Sequence, residues 1–320
     1  MLSRRRFLTG IAASRFAGSL RRSISAETPP AITPVGFDVP EGACDCHVHV
    51  FGESNRFPFA ASRSYTPESA SAAELLTMHR ALHIGRVVIV QPSVYGTDNS
   101  CTLEAMKQYG SGARGIAVLP SAIPSTTLDD MRRAGIRGVR INLGTVGDTN
   151  LADARHRLTS AIEQTQGRKW HVQVYAPLPV VAGLSDLALT SPVPVVFDHF
   201  GGAKAAAGLQ QPGLDQLLQL VGSGKAYVKI SGAYRASDQP PDYRDVVPLA
   251  RALIEANPQR ILWGSDWPHP DTGSGRKPSD VSPLLHVDDG QILNLLAKWA
   301  PDASLRKTIL VDNPATLYSF

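Results

Sequence analysis

The chain has 320 residues, 43% hydrophobic and 19% charged, a composition that suits a folded globular protein. Six arginines (Arg4, Arg5, Arg6, Arg15, Arg21 and Arg22) and no acid fall in the first 26 residues, so removing these six charges takes the formal net charge from +4 to −2. A nucleic-acid-binding body keeps clustered Lys and Arg, so no such partner is expected. No run of 18 or more apolar residues occurs, so no membrane span is expected either.

In chain order, residues 1–26 come first, with Ser3-Arg4-Arg5-Arg6-Phe7-Leu8 similar to a twin-arginine export signal. A mildly apolar run from Phe7 to Leu20 follows, and Ala26 offers a small residue at a cleavage point. The export machinery is therefore an expected partner, and the periplasm or the exterior the expected destination. Residues 27–42 are Pro-rich and read as a linker. Beyond them, short β-branched runs alternate with amphipathic stretches. The strand candidates are 43–50, 86–91, 114–119, 137–142, 170–176, 193–199, 226–231 and 260–266. Helical patterns cover 71–83, 152–166, 214–222 and 242–257. Eight strands with helices between them predict an α/β fold, a (β/α)8 TIM barrel forming a single catalytic domain over residues 43–320. No G-x-G-x-x-G follows a strand, so a dinucleotide fold is unsupported.

Barrel enzymes carry their chemistry at the C-terminal ends of the strands. In "ACDCHVHVFG", Ala43 to Gly52, strand alternation puts Asp45, His47 and His49 on one face, with Cys44, Cys46 and Val48 on the other. Strand two runs into Gln91 and Ser93; strand four carries Arg140 and Asn142; strand five ends at Tyr175 and strand six at His199. Strand seven carries Lys229 and Ser231 and leads to Arg235, and strand eight ends at Asp266. Polar groups at so many matching ends point to a binding site, because unpaired in a packed barrel they would be unfavourable.

The segments "DCHVHVFG", "RFPFAASRSYTP", "GVRIN", "DHFGG" and "LWGSDWPHP" resemble the amidohydrolase superfamily. They are most similar to its lactonase branch, which includes 2-pyrone-4,6-dicarboxylate lactonases and sugar lactonases. The resemblance implies that Asp266 is the catalytic base, with His47, His49 and His199 beside it. It implies substrate binding by Tyr65, Tyr175, Ser93, Arg140 and Arg235. The dicarboxylate lactonases carry two further arginines where this chain has Val146 and Gly202, which implies a less anionic substrate: a monocarboxylated or sugar-like lactone.

A zinc site needs three or four close ligands. His47, His49 and Asp266 could supply three, but strand five ends in Tyr175, strand four offers the cation Arg140, and His171 lies at the wrong end of its strand. The expectation is thus catalysis with no required cofactor, with a divalent cation such as zinc as the alternative. Asp266 would deprotonate water and return the proton to the leaving alkoxide. His47, His49 and His199 would donate to the carbonyl oxygen. Two other functions stay open: a metal-dependent decarboxylase of the same superfamily, and a non-catalytic ligand-binding barrel. Several residues have plainer readings. His79, His83 and His156 read as packing or surface histidines outside the barrel. Asp198 should point away from His199 and orient a neighbour. Trp263 reads as core, and His269 lies near the mouth. The three cysteines, Cys44, Cys46 and Cys101, are odd in number and read as buried thiols.

Overall fold

In the computed structural model, which describes residues 32–272 and 276–320, eight parallel strands form one sheet in sequence order. They are β1 (Cys44–Val48), β2 (Arg86–Val90), β3 (Ala113–Ala117), β4 (Ile136–Asn142), β5 (His171–Tyr175), β6 (Val195–Phe197), β7 (Ala226–Ser231) and β8 (Ile261–Gly264). Each matches a predicted strand to within a few residues. The seam between β8 and β1 closes through two backbone bonds, Asp266 N–H to His47 O at 2.9 Å and His49 N–H to Trp267 O at 2.8 Å. The result is a nearly closed (β/α)8 barrel. The main helices of the outer layer are α1 (Ala72–Ala81), α2 (Ser100–Tyr109), α3 (Ser125–Arg133), α4 (Leu151–Thr165), α5 (Leu214–Gly222), α6 (Val246–Ala256) and α7 (Asp289–Trp299), with two short helices between β5 and β6. The α1 start has a full capping box, Ser71 with Glu74, which satisfies two otherwise orphaned amides.

Alternation sorts the strand residues into two cores. Val87, Ile89, Val139, Val172, Val174, Phe197, Val228, Ile230 and Trp263 face the helices. Cys44, Cys46, Val88, Val90, Ile116, Val196 and Leu262 fill the barrel bottom, closed by Leu317 and Tyr318. All three cysteines are buried free thiols, and Trp263 is core.

Two predicted side-chain directions are wrong, and each has a backbone cause. In β1 the pairing register shifts between Asp45 and Val48. This bulge turns Cys46 and His47 inward together, so Cys44 and Cys46 line the interior while Asp45 faces the helix layer. In β6 the strand stops at Phe197, and His199 adopts a left-handed conformation with φ +50°. Asp198 and His199 therefore both enter the barrel instead of alternating.

The loop after β1 crosses the mouth. Its residues Thr66–Pro67 pair in parallel with Val281–Ser282 from the loop after β8, strapping the two together. Residues 32–42, expected as linker, lie against α7: Thr33 bonds Asp288, and Asn294 pairs with Gly36 and Pro34. The expected signal, residues 1–26, lies outside the described residues, as do residues 27–31 and 273–275. Among the described residues no helix is long and apolar enough to cross a membrane.

Candidate active site

The strand-end residues converge as expected at the C-terminal mouth. His47, His49, His199 and Asp266 form the floor, all buried. Nε2 of His47 lies 3.3 Å from Nε2 of His49. Oδ1 of Asp266 lies 3.6 Å from His47, 3.8 Å from His49 and 4.0 Å from His199, each measured to Nε2. Above the floor is a cavity lined by Tyr65, Ser93, Arg140, Asn142, Tyr175 and Arg235 among others. Every residue expected to bind substrate is thus at this cavity.

The histidine protonation states follow from their partners. Burial depresses all three: His49 to about 3, His199 to about 4, and His47 well below its ordinary value. Each is therefore neutral and carries one ring proton. Nδ1 of His49 sits 2.8 Å from the Val90 carbonyl, which can only accept, so the proton is there. Nδ1 of His47 lies 3.2 Å from Asp198 Oδ1 and 3.3 Å from the Lys229 ammonium, and Nδ1 of His199 lies 3.0 Å from the Ser231 hydroxyl and 3.3 Å from its carbonyl. The Val90 contact fixes the His49 proton on Nδ1 and leaves its Nε2 lone pair facing Nε2 of His47 at 3.3 Å.

Asp266 is held from one side only. Its Oδ2 accepts from the Tyr234 hydroxyl at 2.6 Å and from Arg235 Nε, while Oδ1 is buried with no hydrogen-bond partner. Burial alone would raise this carboxyl, but the adjacent Arg235 guanidinium overrides it and holds the group well below the usual carboxylate range. Asp266 itself is left-handed, with φ +67°, a conformation Asp tolerates better than most residues.

Beneath the floor, Lys229 is fully buried, 2.6 Å from Gln173 Oε1 and 3.4 Å from Asp198 Oδ1. Asp198 also takes Gln173 Nε2 at 2.9 Å and lies 3.7 Å from Arg140. This network orients His47 from below. Arg140 donates to the Gln91 carbonyl at 3.3 Å, and its Nε, the atom 3.7 Å from Asp198 Oδ2, makes no hydrogen bond. Burial pushes the Tyr65 hydroxyl up to about 12, and Ser93 is its hydrogen-bond neighbour.

Several residues lie elsewhere. His171 is buried at the far end of β5 against Tyr318. His83 and His156 are exposed on the outside. His269 is buried on Asp289 and against the Tyr234 ring rather than lining the cavity. Arg235 is only partly available to a substrate, because its Nε is engaged by Asp266. Tyr234 was not singled out from the sequence. Its only signal there is its place beside Arg235 just after a strand end. Asn142, Thr145 and Thr272 also line the cavity. The two arginines missing relative to dicarboxylate lactonases have a structural counterpart. A Cβ at Gly202 would lie 2.3 Å from the Ala176 carbonyl oxygen, so no side chain fits there. Val146 is 66% exposed.

A divalent cation fits this floor. A tetrahedral zinc with ligands at about 2.0–2.1 Å has ligand-to-ligand edges of about 3.3–3.4 Å. The Nε2 and Oδ1 atoms of His47, His49 and Asp266 are 3.3–3.8 Å apart, and Oδ1 is unsatisfied. The same three residues form a group with metal-ligand spacing; a second group, His47 with Asp198 and His199, is preempted by the Lys229 ammonium 3.3 Å from His47 Nδ1.

A parallel barrel that gathers a strand-one histidine pair, a strand-six histidine and a strand-eight aspartate at its mouth defines an amidohydrolase-type barrel. The Amidohydrolase family model matches residues 44–320, and the chain belongs to that family. It is 38% identical to a 4-sulfomuconolactone hydrolase of Rhizobium radiobacter over 89% of this chain and 92% of that one. It is 36% identical to a 2-pyrone-4,6-dicarboxylate hydrolase of Comamonas testosteroni over 88% and 92% of the two chains. Among solved structures it is similar to an Acinetobacter baumannii protein described as a probable 2-pyrone-4,6-dicarboxylic acid hydrolase with citric acid bound. That pair has a TM-score of 0.70 and 26% identity, covering 87% of this chain and 100% of the other.

Proposed function

We propose that the protein hydrolyses a small lactone that is monocarboxylated or sugar-like. One observation carries the reading. The unpartnered Oδ1 of Asp266 faces three neutral histidine Nε2 atoms below a cavity walled by Arg140, Arg235, Tyr65, Tyr175 and Ser93. The relatives named as lactone hydrolases support the lactonase reading, and the citric acid held by the Acinetobacter baumannii protein supports a site that receives a carboxylate. The excluded side chain at Gly202 argues for fewer acid groups than a dicarboxylate.

His47, His49 and Asp266, with His199 beside them, would hold a divalent cation such as zinc. Bound there, it would polarise the lactone carbonyl and acidify water. His49, with its proton on Nδ1, cannot donate to the carbonyl through Nε2, and polarisation by the cation would take the place of that donor. With no cation on Oδ1, Asp266 accepts the proton of the attacking water there and returns it to the leaving alkoxide, while Tyr234 and Arg235 fix Oδ2. Arg140 and the terminal nitrogens of Arg235 receive the substrate's carboxylate or hydroxyls, and Tyr65, Ser93 and Tyr175 orient the ring.

The test is a panel of pyrone, muconate-type and sugar lactones assayed with and without chelator. At least one should be opened, and Asp266→Asn should lower its kcat by about 10³-fold or more. Absence of turnover across the panel overturns the lactonase reading. Activity surviving chelation, in protein shown metal-free by elemental analysis, removes the cation. We also infer export, supported by the twin-arginine segment. Residues 1–42 fused to a reporter should carry it to the periplasm, and Arg4→Lys with Arg5→Lys should retain it inside.

A further inference from the structure

We propose that Asp45, outside the substrate cavity, is a positioning residue that sets the distance between His47 and Asp266. Its carboxylate spans the closing seam of the barrel. Oδ1 accepts from the backbone N–H of His47 at 3.1 Å and of Ser265 at 3.0 Å. The first donor is the strand-one histidine itself, and the second immediately precedes Asp266. No regular ladder joins β1 to β8, so this one side-chain oxygen supplies pairing that the seam lacks. The strands approach so closely there that a Cβ at Gly264 would lie 2.7 Å from the His47 Cβ.

Asp45 is itself braced from the helix layer. Its Oδ2 lies 3.2 Å from His79 Nε2 on α1, and His79 Nδ1 meets the Tyr109 hydroxyl on α2. Both Asp45 and His79 are buried, at 0% and 1% exposure. The β1 bulge is what turns Asp45 outward to this brace while turning His47 inward. The relay Tyr109–His79–Asp45 thus reaches the two halves of the site through backbone amides and touches no substrate.

The kinetic arm of the test rests on the lactonase reading; the exchange arm does not. Asp45→Ala leaves both amides without an acceptor, whereas Asp45→Asn keeps one oxygen for them. Backbone hydrogen exchange should accelerate in Asp45→Ala at residues 44–48 and 261–267, with β4 and β5 unchanged, and Asp45→Asn should restore most of the protection. On a lactone the wild type opens, Asp45→Ala should lose at least tenfold in kcat with KM within threefold. His79→Leu should show a smaller loss of the same form, and it carries the test if Asp45→Ala does not fold. Exchange rising uniformly, or not at all, overturns the proposal, as does local loosening with kcat intact. A wild type that opens no lactone counts against the proposed activity, and the exchange arm still decides the role of Asp45.

Discussion

Asp266 is anchored through one oxygen and open at the other, and that asymmetry is what makes it useful. Tyr234 and Arg235 fix Oδ2, so Oδ1 has one direction in which to work. Removing the hydroxyl with Tyr234→Phe should lower kcat by about 10–100-fold with little change in KM, the range for one lost hydrogen bond to a charged group. Steady-state kinetics on the responsive lactone would check it; a change confined to KM would place Tyr234 with the substrate instead. The place of Asp266 in the cavity floor was legible from its position at the end of strand eight. Its two anchors were less so, because a left-handed turn at Asp266 and the short helical segment Ala233–Ala236 bring together residues about 30 apart in sequence.

Among the elements, β1 and β6 depart most from regular alternation, and both departures feed the site. The bulge in β1 aims His47 inward, and the early end of β6 lets Asp198 reach His47 from below. The β1–β8 seam has little spare room. Gly264→Ala should push these strands apart, lowering stability by about 1–3 kcal/mol, an overpacking cost, and kcat by at least tenfold. Thermal unfolding and kinetics on the same preparation would show both; a variant with wild-type values would mean the seam relaxes freely. Strand number, order and approximate limits could be read from period and composition. The bulge could not, since "CDCHVH" reads as an unbroken alternating strand.

For the whole molecule, the barrel interior is polar at its centre and apolar below, and it holds neutral histidines away from water. His171 is the one farthest from the mouth. Burial, with the Lys229 charge adding to it, lowers it to about 3. The unfolded chain protonates this group near 6.5 while the folded protein does not. Its contribution is therefore complete above that value and declines as pH falls from about 6.5 toward 3, by about 1.4 kcal/mol per pH unit. At pH 5 the loss from this group is about 2 kcal/mol relative to pH 8. Urea unfolding at the two pH values should show His171→Phe to be less acid-sensitive by about that amount; equal sensitivity would mean His171 titrates normally.

By itself the amino-acid sequence determined the barrel, the eight strands and the identity of the groups at its mouth, because hydrophobic period and strand-end chemistry are local properties. Val146 and Gly202, set against the resemblance, supply only the expectation of a less anionic substrate. Only the tertiary structure decided that Gly202 admits no side chain, that Arg235 is engaged by Asp266, and that three histidine Nε2 atoms surround one unsatisfied carboxylate oxygen. Those facts depend on a bulge, on left-handed turns and on the closure of β8 against β1. Each is set by contacts between segments far apart in the chain, and no local period encodes them.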